Sequence, residues 1–381
     1  MISRRLFSIG MGTGAAMVSR FNVAQAQEGK IILGQSAAFT GAAAQLGLQF
    51  HSGAKLCFDQ LNAKGGVNRR MVEIRQMDDG YEPDRCAENT RKLLADEVFA
   101  LFGYVGTPTS LAALPLATAG KVPFIAPFTG AMALREPFNR YAFHLRASYQ
   151  DETALIVKQL TSFGLKKIAV FRQNDSYGKA GLDGVVAALA AQKLVPVALA
   201  TVERNSVDVA AAVKTLLAEA PDAVVQISAY KSCAAFIRAA RKAGYGGMFY
   251  NVSFVGTQAL ADELGRAGAG VVVSQVMPSP YNLSRPIARE FAEAIQKAGG
   301  DVQANFSSIE GYLAAKLMIE GLRAGANSSG RGLTRESLIT GLESLGSQSW
   351  GGFSVKLGVN DHVASTFVEL SMLTGDGRIK T

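Results

Sequence analysis

Residues 98–126, VFALFGYVGTPTSLAALPLATAGKVPFIA, form the stretch of sequence that decides the fold. A continuous apolar run, 98–105, precedes a loop rich in Gly and Thr, a helical segment, 109–119, and a second apolar run, 122–126. Continuous apolar strands separated by helices are typical of parallel sheets that are covered on both faces. The stretch therefore predicts a strand–helix–strand unit of an α/β fold.

The same alternation extends to both sides of this unit. One series of strands and helices starts near residue 31, and a second starts near residue 150. Two such series predict an α/β fold with two doubly wound parallel-sheet lobes. The pattern alone does not assign the later segments to either lobe; these are helices 286–297, 309–324 and 334–345 and the strand-like segments 352–355 and 365–373.

The first 26 residues are typical of an export signal. Arg4 and Arg5 precede a short, weakly apolar stretch, 9–18, and residues 24–26 read Ala-Gln-Ala, a small-residue cleavage signal. This order indicates a secretory signal peptide, and the paired arginines resemble signals of the twin-arginine translocase. The apolar stretch is far shorter than the ~20 residues that a membrane-spanning helix needs. We therefore expect residues 1–26 to be removed and the mature chain to start near Gln27 in the periplasm.

The composition indicates a globular protein and argues against a nucleic-acid partner. The 381 residues are 48% hydrophobic and carry a net charge of +8, with Lys and Arg scattered among acids. Nucleic-acid surfaces usually show basic residues in a run or a stripe, and none is present. At ~100–200 residues per domain, the length suggests two domains.

The cysteines and histidines predict neither a metal site nor a catalytic site. Cys57 and Cys86 lie in successive predicted helices, so a disulfide between them and two buried free thiols are both open. Cys233 lies on the apolar face of a later helix and is predicted to be a core residue. No HExxH, GxSxG or phosphate-loop motif occurs, and the three histidines are scattered: His51, His144 and His362.

Several short motifs follow one another along the chain. They are Gly41-x-x-x-Gln45-x-Gly47, Leu61-Asn62-Ala63-Lys64-Gly65-Gly66-Val67, Asp78-Asp79-Gly80-Tyr81-Glu82-Pro83, Gly103-Tyr104-Val105-Gly106-Thr107-Pro108-Thr109-Ser110, Val122-Pro123-Phe124-Ile125-Ala126-Pro127 and Asn174-Asp175-Ser176-Tyr177-Gly178. In this order the chain resembles the leucine-binding-protein-like type I periplasmic solute-binding proteins of branched-chain-amino-acid-type ABC transporters. The resemblance extends from about residue 30 to the C-terminus.

The resemblance implies that the chain crosses between the lobes three times, through a three-segment hinge. Lobe one would contain residues 27–146 and 279–350, and lobe two residues 147–278 and 351–381. The cleft between the lobes would close on a small-molecule solute. The resemblance further implies a monomer that works with a membrane ABC permease and needs no cofactor.

The loop Gly106–Ser110 is the first candidate binding element. It follows predicted strand 98–105 at the carboxyl end, which is where ligands bind in open parallel sheets. Unpaired amides and the dipole at the start of the next helix attract anions, Gly106 lets the backbone approach, and Thr107 adds a hydroxyl donor. By resemblance this loop holds the carboxylate of the solute, with Thr107 as the matching position. Without the resemblance, an ordinary helix cap remains open.

The loop after predicted strand 122–126 lies at the same sheet edge and contains Phe128, Thr129 and Gly130. In amino-acid-binding relatives this loop offers a carbonyl to the ammonium and donors to the carboxylate. Phe128 either narrows the pocket or stacks on a ring of the solute, or it is a core residue beneath the loop. Aromatic side chains at sheet ends suit an aliphatic or aromatic solute; the further pocket positions are Leu46, Tyr177 and Tyr230.

One loop departs from the family pattern. Amino-acid receptors of this family commonly carry an acid after strand 248–252, where this chain has Ser253 and Phe254. An ammonium without a counter-charge loses a charge-assisted hydrogen bond, typically ~1.5–3 kcal/mol. A carboxylate without an α-amine is therefore one option, and an ammonium held by Glu310 from the hinge side of the cleft is another.

The sequence thus predicts a periplasmic receptor of an ABC importer for a small carboxylated solute, an amino acid or an aliphatic or aromatic acid. The alternatives are an exported ligand-sensing receptor of the same fold, acting in signalling or chemotaxis, and an exported α/β enzyme. No catalytic residue is predicted, which separates the two receptor functions from the enzyme.

Overall fold

The strands of the first series form a parallel sheet. In a computed structural model of the chain, which describes residues 29–328 and 332–381, five strands align in the order β2-β1-β3-β4-β5. Their bounds are β1 (Ile31–Ala37), β2 (Val72–Asp78), β3 (Ala100–Phe102), β4 (Phe124–Ile125) and β5 (Ala142–Phe143). Three helices connect them: α1 (Ala44–Asn62), α2 (Pro83–Ala95) and α3 (Thr107–Ala119). The predicted export signal lies outside the described residues.

The second series forms a larger sheet. Five of its strands are mutually parallel: β6 (Ile168–Gln173), β7 (Ala198–Val202), β8 (Ala223–Ile227), β9 (Met248–Asn251) and β10 (Val272–Gln275). The helices are α4 (Tyr149–Ser162), α5 (Ser176–Ala191), α6 (Ala210–Leu217), α7 (Tyr230–Lys242) and α8 (Thr257–Leu264). Two C-terminal strands extend the sheet in antiparallel fashion next to β10, namely β13 (Glu369–Leu373) and β14 (Ile379–Lys380). The predicted fold class, α/β with two parallel-sheet lobes, is therefore confirmed.

The predicted strand-like segment 365–373 contains β13 of the larger sheet. The other segments that the sequence pattern left unassigned return to the first sheet. They are α9 (Pro286–Lys297), α10 (Phe306–Ser328), α11 (Arg335–Glu343) and the hairpin of β11 (Gly346–Trp350) with β12 (Phe353–Leu357). Helix α10 packs on α1 at very close range, because a Cβ on Gly53 would lie 1.8 Å from the carbonyl oxygen of Ser308. A Cβ on Gly311 would lie 1.9 Å from the carbonyl oxygen of Phe50. Only glycine allows the two helix backbones to approach this closely.

The chain passes between the sheets after β5, after β10 and after β12. The passage after β5 and the passage after β12 are hydrogen-bonded to each other. The N–H of His144 donates to the carbonyl of His362 at 2.8 Å, and the N–H of Ala364 donates to the carbonyl of His144 at 2.8 Å. The third is tied to β13, because the N–H of Ser279 donates to the Glu369 carboxylate at 3.1 Å. These three passages are the segments about which the lobes can turn. The residue boundaries 146/147, 278/279 and 350/351 remain a proposal, and the last of them falls within the hairpin of β11 and β12, before the passage itself.

The three cysteines are free and buried. The disulfide between Cys57 and Cys86, one of the two open alternatives, is therefore not formed, and burial raises the pKa of the Cys57 thiol to about 12. Cys86 contacts the carbonyl of Thr109 on the neighbouring helix instead, with 3.4 Å between sulfur and oxygen. Within residues 29–328 and 332–381, no helix is long and apolar enough to span a membrane, and no group of three or more His, Cys, Asp or Glu is arranged to hold a metal ion.

Candidate functional site

Five aromatic side chains meet between the two sheets. This aromatic cluster consists of Tyr81, Phe128, Tyr149, Tyr177 and Phe254, and each is no more than 1% exposed. Phe254 lies at its centre, with ring centroids 4.6 Å from Tyr177, 5.6 Å from Phe128 and 5.8 Å from Tyr81. Tyr149 completes the cluster at 5.4 Å from Tyr177. Rings at these distances are in contact, so a solute reaches this region only when the lobes separate.

The cluster lies at the carboxyl ends of strands from both sheets. Phe128 follows β4, and Phe254 follows β9. Tyr177 stands in the first turn of α5, whose start is capped because the carboxylate of Asp175 accepts hydrogen bonds from the N–H groups of Tyr177 and Gly178 at 2.9 and 3.3 Å. This is the edge at which open parallel sheets bind ligands, and here the two edges face each other.

Hydroxyl groups line the same region beneath the rings. Thr107 Oγ1 and Thr129 Oγ1 are 2.7 Å apart, and Thr129 Oγ1 lies 3.3 Å from the hydroxyl of Tyr149. Helix α3 starts at Thr107, so its first amides have no acceptor within the helix. The structure thus brings two of the predicted binding loops together as one surface of hydroxyl and amide donors.

Two predicted glycines are needed for this close packing. Gly106 has φ +103, and a Cβ there would lie 2.2 Å from the ring of Tyr81. At Gly130 a Cβ would lie 2.8 Å from the backbone nitrogen of Tyr149, whose N–H donates to the Gly130 carbonyl at 2.8 Å. A side chain at either position would therefore displace a tyrosine of the aromatic cluster.

The hydroxyl of Tyr177 has no hydrogen-bond partner among the described residues, although the side chain is fully buried. Burial raises its pKa well above the ordinary value of 10, so the group is a neutral donor at every physiological pH. Buried hydroxyls in native proteins are nearly always paired. This donor at the aromatic cluster is therefore suited to an acceptor on a bound molecule.

A buried ion pair lies directly behind Phe128. The guanidinium of Arg146 donates to both carboxylate oxygens of Glu310 at 2.8 and 2.7 Å, and it sits 4.1 Å from the centroid of the Phe128 ring. Burial opposes the charge of Arg146, yet Glu310 raises its pKa above the ordinary value. Arg146 thus already balances the charge of Glu310, which argues against the alternative prediction that Glu310 pairs with an ammonium of the solute.

Glu152, which sequence reasoning missed, lies beside the loop after β9. Its carboxylate accepts hydrogen bonds from the N–H and hydroxyl of Ser253 at 2.7 and 3.0 Å and from the hydroxyl of Ser274. Burial raises the pKa of Glu152, and the charge of Arg146 and these hydrogen bonds oppose the rise. The predicted pocket residue Ser253 therefore points its donors at Glu152.

Two other predicted residues lie at the margin of the cluster. Leu46 contacts the loop after Phe254, since a Cβ on Gly256 would lie 2.4 Å from Leu46 Cδ2. Tyr230 starts α7 and lines a separate surface cavity of about 450 Å³ together with Gln45. Tyr230 therefore lies outside the aromatic cluster and its hydroxyl layer, whereas Leu46 borders the cluster through the loop after Phe254.

Tyr81 and Tyr149 are cluster residues that sequence reasoning did not single out as pocket positions. Tyr81 belongs to one of the motifs on which the family resemblance rests. The residues before it, Asp79 and Gly80, indicate only a turn. Tyr149 opens α4 directly after the first passage between the sheets. Their positions depend on how the two sheets face each other, for which the local pattern holds no signal.

Comparison with known proteins agrees with this architecture. A family model for periplasmic binding proteins matches residues 30–377. The chain is 24% identical to Leu/Ile/Val-binding protein homolog 8 of Brucella abortus, over 98% of this chain and 94% of the relative. A solved structure of a possible leucine/isoleucine/valine-binding protein from Rhodopirellula baltica is 35% identical, with a TM-score of 0.88 over 93% of this chain and 97% of that chain.

A fatty acid ABC transporter substrate-binding protein from Thermomonospora curvata shares the fold, with a TM-score of 0.79 at 23% identity over 91% of this chain and 90% of that chain. These proteins are binding proteins, not enzymes. Since the family match covers nearly the whole chain, the protein belongs to the periplasmic binding protein family, in its Leu/Ile/Val-binding-protein-like type I group.

Proposed function

We propose that the protein is the solute receptor of an ABC importer and that it binds a small carboxylated solute with an apolar body and no α-amine. The observation that carries this proposal is the aromatic cluster, which is assembled from both sheets around a layer of hydroxyl donors. A solute enclosed there bridges the two lobes. Closing the lobes on the solute supplies the affinity, and no chemical step is involved.

The donor layer supports the carboxylate. The hydroxyls of Thr107, Thr129 and Tyr149 are linked by contacts of 2.7 and 3.3 Å, and the unpaired hydroxyl of Tyr177 belongs to the ring next to Tyr149. The start of α3 adds backbone amides and the positive end of a helix dipole. A carboxylate offers about four acceptor sites, which fits several converging donors. Hydrogen bonds to such a charged group are typically stronger than those between neutral groups.

The state of the nearby acids supports a solute without an ammonium. Glu310 is paired with Arg146, and Glu152 accepts three hydrogen bonds from serine groups. An ammonium would have to share either carboxylate with these partners, so neither acid is left free as its counter-charge. The fatty acid transporter relative has the same fold, and a fatty acid carries a carboxylate without an amine.

Matched pairs of ligands test this proposal. A thermal-shift screen of amino acids and of aliphatic and aromatic acids, made with the mature protein, identifies binders because a ligand of the folded state raises its apparent stability. Calorimetry then compares leucine with 4-methylpentanoate and phenylalanine with 3-phenylpropanoate. We expect the deaminated acids to bind more tightly. Tight binding of the amino acids, with none of the deaminated acids, would contradict the proposal.

Delivery to a permease is tested in cells. The family and the export signal predicted for residues 1–26 support a periplasmic receptor that hands its solute to a membrane ABC permease. Deletion of the gene should abolish uptake of the labelled solute, and a plasmid copy should restore it. Normal uptake in the deletion strain, together with a lost chemotactic or transcriptional response, would favour the sensing receptor.

A further inference from the structure

A latch connects the lobes at the entrance to the aromatic cluster. We propose that Arg204 and Asn205 are positioning residues which hold the loop Gly80–Glu82 closed over the cluster and thereby set the residence time of the solute. The latch is the set of contacts between these two residues and that loop. Its link to residence time rests on the proposed function, whereas its effect on lobe closure does not.

The contacts of the latch cross from one sheet to the other. Arg204 Nη2 donates to Glu82 Oε2 at 2.8 Å, and Asn205 Nδ2 donates to Glu82 Oε1 at 2.8 Å and to the Gly80 carbonyl at 3.1 Å. Glu82 follows β2 of the five-stranded sheet, while Arg204 follows β7 of the seven-stranded sheet. These bonds therefore exist only while the two lobes are together.

Each side of the latch is anchored in its own lobe. Arg204 Nη1 lies 3.3 Å from Asp175, which caps α5 in the second lobe. On the other side, the N–H of Tyr81 donates to the carboxylate of Asp79 at 2.8 Å, and Pro83 starts α2 directly after Glu82. Arg204 and the loop Gly80–Glu82 are therefore each held in place by their own lobe before the lobes close. Closure then restricts few additional side chains.

The latched loop carries one wall of the binding region. Tyr81 is fully buried, its ring contacts Phe254 at 5.8 Å between centroids, and its hydroxyl accepts a hydrogen bond from Gln173 Nε2 at 3.3 Å. Its φ of +65 is unfavourable for a residue with a side chain, so the loop needs outside contacts to keep this ring in position. The latch therefore adds to the contacts with Phe254 and Gln173 that hold Tyr81 against the second lobe.

The strength of the latch suits a reversible receptor. The side chains of Arg204 and Glu82 are 24% and 42% exposed, so solvent screens the pair. Partly exposed ion pairs of this kind change an equilibrium by about twofold to fivefold. Such a latch slows the escape of a solute without preventing its delivery.

The test measures lobe closure directly by spin-label distances. Labels are attached through Arg91→Cys on α2 and Lys158→Cys on α4, two exposed positions in different lobes. The ratio of closed to open protein is recorded without ligand and with 4-methylpentanoate, from about 0.01 M to about 1 M salt, over which the screening length falls from about 30 Å to about 3 Å. Stopped-flow measurements give the dissociation rate of 4-methylpentanoate.

We expect Arg204→Gln to lower the ratio of closed to open protein about twofold to fivefold and to raise the dissociation rate by a similar factor. The ratio should fall with salt in the wild type and stay flat in the variant, and Arg204→Lys should restore part of it. The double variant Glu82→Gln with Arg204→Gln should lower the ratio of closed to open protein by less than the product of the two single-variant factors, since the two residues share one interaction. The matched control Arg323→Gln breaks an ion pair with Glu320 inside α10 and should change neither quantity.

Two results would overturn the latch. One is an Arg204→Gln protein with the closed fraction and dissociation rate of the wild type, and the other is a wild type that stays open under every condition. If calorimetry shows no binding of 4-methylpentanoate, the proposed solute is wrong, but the measurements without ligand still decide whether the latch exists. A wrong solute is thus distinguishable from an absent latch.

Discussion

Replacing Tyr177 by phenylalanine should change stability and binding in opposite directions. The Tyr177 hydroxyl is fully buried in the closed form and has no hydrogen-bond partner among the described residues, so the closed, solute-free form bears its desolvation cost of about 1–3 kcal/mol. Tyr177→Phe removes this cost and keeps the ring contacts with Tyr149 and Phe254. We expect the free energy of unfolding without solute to rise by about 1 kcal/mol.

Binding should weaken in the same variant. A hydrogen bond from the Tyr177 hydroxyl to a solute carboxylate contributes about 1.5–3 kcal/mol, so its loss should raise Kd by about tenfold to a hundredfold. Urea unfolding without ligand and calorimetry with 4-methylpentanoate measure the two effects on the same samples.

Tyr104 provides the matched control. It is also a fully buried tyrosine, but its hydroxyl lies 3.0 Å from Thr90 Oγ1 and it is not part of the aromatic cluster. Tyr104→Phe should therefore lower the free energy of unfolding by about 1 kcal/mol and leave Kd unchanged. A Tyr177→Phe protein that is less stable and binds as the wild type does would refute the assignment of this hydroxyl to the solute.

Three further predictions concern the groups around the cluster. Thr107→Ala should weaken 4-methylpentanoate binding by about 1–2 kcal/mol in calorimetry, and an unchanged Kd would remove Thr107 from the site. Glu310→Gln leaves Arg146 buried beside a neutral partner, so chemical unfolding should show a loss of about 3–5 kcal/mol, while Glu320→Gln at an exposed pair should change stability little. Burial raises the pKa of Asp79 from its ordinary 3.8 to about 6, against opposing hydrogen bonds. The folded protein therefore holds this proton more tightly than the unfolded chain, and its stabilising effect should be lost as pH rises from about 4 to about 6, by about 3 kcal/mol in total. Asp79→Asn should remove this part of the pH dependence in denaturant titrations, and identical profiles for variant and wild type would show that Asp79 does not titrate in this range.

Local sequence patterns predicted most of the regular elements. Helix α9 matches the predicted segment 286–297 residue for residue, because it is an amphipathic segment that begins with a proline and is followed by Gly299. The strands and helices that were missed are β5, β11, β14 and α8. Strand β5 has two residues and α8 has eight, and segments this short carry too few periodic positions to be recognised.

The loops at the strand ends were also accessible from the sequence. Gly106, Thr107 and Phe128 lie where a parallel sheet presents its carboxyl edge, and strand order along the chain suffices to place them there. The resemblance to solute-binding proteins added the expectation of a facing lobe, from which Tyr177 and Phe254 followed as candidates. These assignments use only the chain direction and the position of a residue relative to a strand.

The sequence by itself determined the class of fold, the two lobes and the edge of each sheet that can bind a ligand, because hydrophobic periodicity and turn residues act over a few neighbouring positions. Only the tertiary structure decided which acids are already paired. Arg146 meets Glu310 across 164 positions of the chain, and Ser253 meets Glu152 across 101. It also decided that Tyr81 closes the cluster. Such contacts arise when separate segments pack together, and the charge that remains for a solute is known only after every long-range pair has formed.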